Sequence, residues 1–299
     1  MDISTIRSIL NGDAVPNTGQ YRVAMGKLYD FLTAFTGTDS ADTTTLATLL
    51  GVTLAQRTGV VGSMRNARMR IAAASNVGNF IADEVIVQSA LGGERRCLKG
   101  VNGNVNLGAV GAGGMDVAPA PTSGFVCVYL GYSPTAGNAR LFAQDATAAA
   151  LGEVYGGANL PAGYTMTALV GVWPTDSSGR FKIGQQIDRE IFLPNTLAFQ
   201  SAGQKLTPTS FSVAAVVPKN AKSMRGSVGG VCPTSQALNF IVAGDASNTG
   251  WAYASASPVT AVSAPFERVP LITPQTLYCT ANSSADTPTV SIYCTGYSF

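Results

Sequence analysis

Acid–base chemistry near neutral pH leans on histidine, and this chain of 299 residues has none. That removes the Ser-His-Asp and Cys-His arrangements, together with the commonest nitrogen ligand for zinc and iron. Carboxylates remain. Asp188 and Glu190, two residues apart, would share one face of a strand, and a carboxylate pair of that kind could work on a glycosidic bond. Acids number only 17, however, and Arg189 lies between the two, a pattern that fits a charged strand edge better than an acid pair. No catalytic residue, cofactor or metal ligand is therefore assigned, and the expectation is a protein that is not an enzyme.

Residues suited to binding stand out more clearly. In the segment 245–255, Trp251 and Tyr253 sit among small polar residues, with Asp245 and Asn248 close by. Two rings flanked by amide and hydroxyl groups can form a platform for a sugar face or a protein tip. The competing reading turns the rings inward or onto a neighbouring subunit. Arg57, Arg65, Arg68 and Arg70 make a local basic stretch, with no acid between Asp42 and Asp83. With a net charge of +2, pairing to carboxylates of a neighbouring subunit outweighs phosphate contact, and nucleic acid is not an expected partner.

Five cysteines, Cys97, Cys127, Cys232, Cys279 and Cys294, are an odd number without CxxC spacing. They lie in or beside apolar runs, where a thiol behaves as a small buried hydrophobe, so reduced cysteines and assembly in a cytoplasm are expected. The start of the chain lacks a basic region followed by an apolar stretch, so no secretory leader is expected. No apolar run is long enough to span a bilayer.

Charged residues make up only 12% of the chain and hydrophobic ones 46%, with 33 glycines and 15 prolines. Such a composition suits short strands joined by turns, and its sparse charge favours self-association to hide apolar surface. The first fifty residues read differently. Tyr21, Met25, Leu28, Leu32 and Phe35 recur at spacings of four and three, the seam of a coiled coil over two heptads, until Gly37 ends it. An amphipathic helix packed on its own domain fits the same spacing. Either way residues 1–50 read as a helical head for attachment or oligomerisation.

Residues 51–120 read as a β-rich connector, with a strand over 79–87 and a glycine-rich stretch at 100–114. No helix pattern follows those glycines, so turns or a flexible connector explain them better than a phosphate-binding loop. Strand patterns then follow one another at 125–132, 139–144, 164–173, 181–192 and 206–217, and again at 239–243, 275–279 and 290–299. The expected organisation is a middle β domain over 121–203 and a C-terminal, distal β-sandwich over 204–299.

Two stretches carry a resemblance. Leu160-Pro161-Ala162-Gly163-Tyr164-Thr165, followed by Thr175-Asp176-Ser177-Ser178-Gly179-Arg180-Phe181, resembles the LPxGYT…TDxSGxF hairpin of phage fibre and tail-associated proteins. Val217-Pro218-Lys219-Asn220, then Pro270-Leu271-Ile272-Thr273-Pro274, then the closing Gly296-Tyr297-Ser298-Phe299, is similar to the C-terminal sandwich of the same group. The resemblance implies a mainly β homotrimer of antiparallel sandwich domains, held in a virion through its N-terminus by tail or capsid proteins. Its distal loops would meet a host surface glycan or protein. A short tail fibre is the leading form; a head fibre, capsid decoration or baseplate connector is the alternative, and a polysaccharide depolymerase the less favoured one.

Overall fold

A computed structural model describes residues 59–299, which form one compact unit. The helical head, with Tyr21, Met25, Leu28, Leu32 and Phe35, lies outside the described residues, as does Arg57. Among the described residues the structure is mainly β, with fourteen strands and no helix. No helix there is long and apolar enough to cross a membrane.

The strands in chain order are β1 (Met64–Arg65), β2 (Arg68–Ile71), β3 (Val77–Gln88), β4 (Arg95–Asn106), β5 (Phe125–Ser133), β6 (Asn138–Asp145) and β7 (Met166–Pro174). There follow β8 (Gly184–Ile187), β9 (Glu190–Ala202), β10 (Lys205–Ser212), β11 (Ser223–Ala243), β12 (Ala252–Pro270), β13 (Thr276–Ser283) and β14 (Thr289–Ser298). They join into a single curled antiparallel sheet in the order β10-β13-β11-β14-β9-β8-β2-β3-β7-β5-β6, with β12 added to β11, and β1 and β4 to β3.

In the first part of this sheet the core is aromatic. Every residue of β5 and of β7 is buried, because both faces of these strands are covered, so their sequences run apolar without alternation. Tyr129 stacks on Phe142 at 5.6 Å, and Tyr155 meets both rings edge-on. Trp173 is fully buried, edge-on to Phe181, and its Nε1 donates to Gln186 Oε1 at 3.1 Å. Gln186 in turn donates to the carbonyls of Val170 and Asp188, so a buried amide spends its hydrogen-bonding capacity on the fold. Glycines 100–114 are not a loose linker: Asn106 N bonds Gly113 O at 2.8 Å, Gly113 N bonds Leu141 O at 2.6 Å, and Met115 is buried beside them.

The second part is organised by the long hairpin of β11 and β12. The first half of β11 pairs with β14 over Ser223 to Val231, whereas the second half pairs with β13 over Leu238 to Ala243. The pairing with β12 shifts register between Val231 and Gln236, where Cys232 and Pro233 interrupt the ladder, and the hairpin bends there. Gly230 makes the bend possible, since a Cβ at that position would strike the Thr289 carbonyl and the Phe240 ring. Phe199 of β9 and Phe211 of β10 stack across the resulting core at 4.3 Å.

Several expectations change at this level. The strand expected over 181–192 is two strands, because Asp188 takes a φ of 48° and turns the chain with Arg189 between β8 and β9. The stretch 206–217 ends as a strand at Ser212 and continues as a turn. The paired strand of β11 and β12 is far longer than the short pattern at 239–243 indicates.

Candidate functional site

The segment joining β11 to β12 is held by one carboxylate. Asp245 Oδ1 accepts the backbone N–H of Ser247 and of Thr249, each at 2.9 Å, and Oδ2 accepts the Thr249 hydroxyl at 2.8 Å. Gly244 N closes the loop onto Thr249 O at 2.9 Å. These donors, the Thr249 amide first among them, hold the Asp245 carboxyl below its ordinary range. Asn248 and Gly250 both take positive φ, 63° and 62°, a conformation that asparagine and glycine accept readily. Gly250 packs on the Pro270 ring, where a side chain would not fit.

Immediately after this loop come the two rings. Trp251 is 53% exposed and Tyr253 is 55% exposed, and they stack on each other with centroids 5.0 Å apart and planes 25° apart. Cross-strand register sets their surroundings. Tyr253 lies beside Ile241, which has Thr280 on its other side, and the next row holds Ser255, Asn239 and Asn282. The outward face of this part of the sheet thus combines two open rings, two exposed amides and hydroxyl groups, with no charged side chain in either row.

Of the four binding residues read from the sequence, the structure places Trp251 and Tyr253 together at the surface. Asp245 and Asn248 serve the loop beneath them, the first through its carboxylate and the second through its backbone. Asn239, Ile241, Thr280 and Asn282 were not singled out from the sequence. Their signal was the alternation Asn239-Phe240-Ile241-Val242, which puts Phe240 and Val242 inward and the other two outward, but only pairing reveals that this face adjoins Tyr253.

The carboxylates at 188 and 190 do not form a pair on one strand face. Asp188 sits in the turn and accepts the Ala67 N–H at 2.9 Å, whereas Glu190 is paired with Arg268. Arg189 between them makes two bonds to Glu153, at 2.8 and 3.0 Å, donates to Phe299 O at 2.9 Å and covers the Phe299 ring at 4.6 Å. This arrangement ties the turn to the end of β14. Arg65, Arg68 and Arg70 are exposed and make no ion pair among the described residues.

An apolar cleft of about 310 Å³ lies between Pro174, Leu193, Val216 and Cys294, with Lys182 in its wall. A shallower one of about 530 Å³ lies on the outer face of β9, β14, β11 and β12. All five cysteines are unpaired, four of them buried and Cys97 half-buried. No group of three or more potential metal ligands occurs among the described residues. Neither a protein-family model nor a curated protein matches the chain.

Proposed function

We propose that this chain is a non-enzymatic structural subunit of a bacteriophage particle, a short trimeric fibre that adsorbs to the host through its distal, C-terminal part. The observation that carries the binding half of this reading is the stacked Trp251–Tyr253 pair, open to solvent on a loop pinned by Asp245. Solvent-exposed rings on a rigid support lose little entropy on contact and make effective anchors. The two rows beside them offer amides and hydroxyls suited to a host surface glycan or an uncharged protein tip.

The phage half of the reading draws on the resemblance of residues 160–181 and of the closing strands. In the first of these, Asp176 organises the turn after β7 by accepting the N–H of Ser178 at 2.8 Å and of Arg180 at 3.0 Å, and it pairs with the Arg180 side chain. The bend of the β11–β12 hairpin supports reading the curled sheet as sandwich-like domains, the last of them C-terminal. The heptad residues of the N-terminal head serve attachment to tail or capsid proteins, and the virion is the site of action.

Adsorption by particles carrying Trp251→Ala with Tyr253→Ala tests this. An anchor lost from each contact commonly costs roughly 2 kcal/mol or more, and several copies per particle would multiply the defect. Adsorption should fall at least tenfold while incorporation is kept. Normal adsorption by correctly assembled mutant particles would refute the binding role of the pair.

A further inference from the structure

Resting on the homotrimer reading, we infer that the outer face of β9, β14, β11 and β12 is the seam between copies of this chain. Register defines the face in three rows. One runs from Leu197 through Tyr293 and Ser227 to Pro265, and the other two begin at Gln200 and at Ala202 and end on Ser263 and Ala261. None of the twelve positions carries a charged side chain. Leu197 and Val231 are nonetheless 47% and 53% exposed, and the face is dished by the concavity of about 530 Å³.

Charge lies at the borders, where Asp286 accepts from Thr234 at 3.0 Å beyond the Val231 row and two ion pairs stand at the opposite end. Arg225 pairs with Glu267 at 3.1 Å, and Arg268 pairs with Glu190, both beyond the Leu197–Pro265 row along the strands. An uncharged centre bordered by ion pairs is how the buried core and rim of an interface are divided. A charged partner would leave its own ions desolvated against this face without a counter-charge, which is costly. A neutral partner is therefore required. This chain supplies one, because between Arg225 and Glu267 the only charged residue is Asp245, and its carboxylate is spent within its own loop.

Size agrees. Four strands spaced about 4.8 Å apart, covered over five or six residues each at about 3.4 Å, give a footprint of roughly 350 Å². A stable contact takes about 800 Å² per partner. Past the ion pairs the same face of the sheet reaches Ile187 and Ile81, 44% and 40% exposed with Arg68 between them, which adds a charged rim to the neutral centre and extends the area toward that size. Contact is through the face rather than by adding a strand to the free edge of β12, where Pro258 and Pro265 remove two backbone donors.

The test is the mass of the full-length protein in solution by light scattering, for the wild type and for Leu197→Lys combined with Val231→Lys. The wild type is expected to be oligomeric at micromolar concentration. The variant, which puts two unpaired ammonium groups in the seam, should be monomeric at the same concentration with its β-sheet circular dichroism kept, a weakening of at least a hundredfold. Ser255→Lys on the aromatic face is the control and should leave the mass unchanged. Should the double variant not fold, Ser263→Glu, at an exposed position of β12, takes its place. An oligomeric wild type whose mass neither variant changes would overturn this face while leaving the trimer standing. A monomeric wild type would overturn both.

Discussion

Strands β1 to β8 and strands β9 to β14 share one sheet, yet they are built from different residues. The first region fills its core with large rings and a hydrogen-bonded amide, and carries its arginines outside. The second has a core of Phe211, Phe240, Phe266 and Tyr297 among small or branched residues, with the half-buried Phe199 stacked at its edge, and its hairpin surface is almost without charge. The two tryptophans of the chain express the contrast: Trp173 is wholly buried with its N–H satisfied, and Trp251 is half exposed with its ring stacked on another exposed ring. Large buried rings fix one packing, whereas small residues let strands approach, bend and leave a smooth face to the outside. On this reading stability is concentrated in the first region and association in the second.

The sharpest way to break that comparison is to truncate both tryptophans. Trp173→Ala should cost about 3–5 kcal/mol, since it opens a cavity and leaves the Gln186 carbonyl without its donor. Trp251→Ala should stay within about 0.5 kcal/mol. Denaturant unfolding followed by circular dichroism measures both. A loss at Trp251 as large as that at Trp173 would mean that the Trp251–Tyr253 pair is a packing element rather than a binding one.

A smaller effect tests how the regions are fastened together. Arg189 reaches from the β8–β9 turn to Glu153 on one side and to the carbonyl and ring of Phe299 on the other. Arg189→Ala should cost about 2 kcal/mol, a value typical of charge-assisted hydrogen bonds that are only partly shielded from water. Arg189→Lys should recover little of it, because an ammonium group cannot keep the two-pronged bond and the ring contact together. Full recovery by lysine would show that charge alone holds the turn.

Legibility in the sequence followed the same division. The buried strands β5 and β7 announced themselves through runs such as Phe125 to Tyr129, and both ends of β6 and β14 and the start of β13 fell close to their patterns, whereas β13 runs on to Ser283. The β11–β12 hairpin was largely missed. Its strands are rich in Gly, Ser, Ala and Pro, residues of low intrinsic strand preference, and tertiary pairing overrides that preference along their whole length. The break at Asp188 was missed for a related reason: only the left-handed backbone there, not the residue types around it, ends the strand. Within the candidate site the two rings were legible as exposed aromatics among polar neighbours. Their partners across the sheet were not, because register is a property of pairing.

The cysteines offer a finer probe of the same packing. Burial pushes the thiols of Cys279 and Cys294 up to about 11 and that of Cys127 further still, with the Glu153 charge adding to the last. Cys97 is also raised, first by burial and then by Glu84, but it is the one thiol that is not fully buried. A thiol reagent at pH 8 should therefore modify Cys97 in the folded protein, with the other four reacting only as fast as the protein opens. Prompt reaction of two or more would show that the core opens locally.

The smallest expected effect concerns the loop under the rings, and its sign follows from the carboxylate. Asp245 has its pKa lowered from 3.8 by bonds to the Thr249 and Ser247 amides and the Thr249 hydroxyl. A depressed carboxylate contributes its stabilisation above the unfolded value, and that contribution disappears as pH falls through the lower, folded value. The loop should thus keep its form at pH 5 and loosen only below the ordinary aspartate range, when protonation takes the acceptor from three donors at once. Because Trp251 follows this loop directly, its emission should shift and its quenching by acrylamide should rise over that interval, while the buried Trp173 stays blue-shifted and protected until the whole fold is lost. Asp245→Asn, which keeps an acceptor oxygen but not the charge, should show part of the loosening already at neutral pH and little further change on acidification. Identical pH profiles for the Asn variant and the wild type would mean that the rings are held by the sheet alone, and that the loop carboxylate has no part in presenting them.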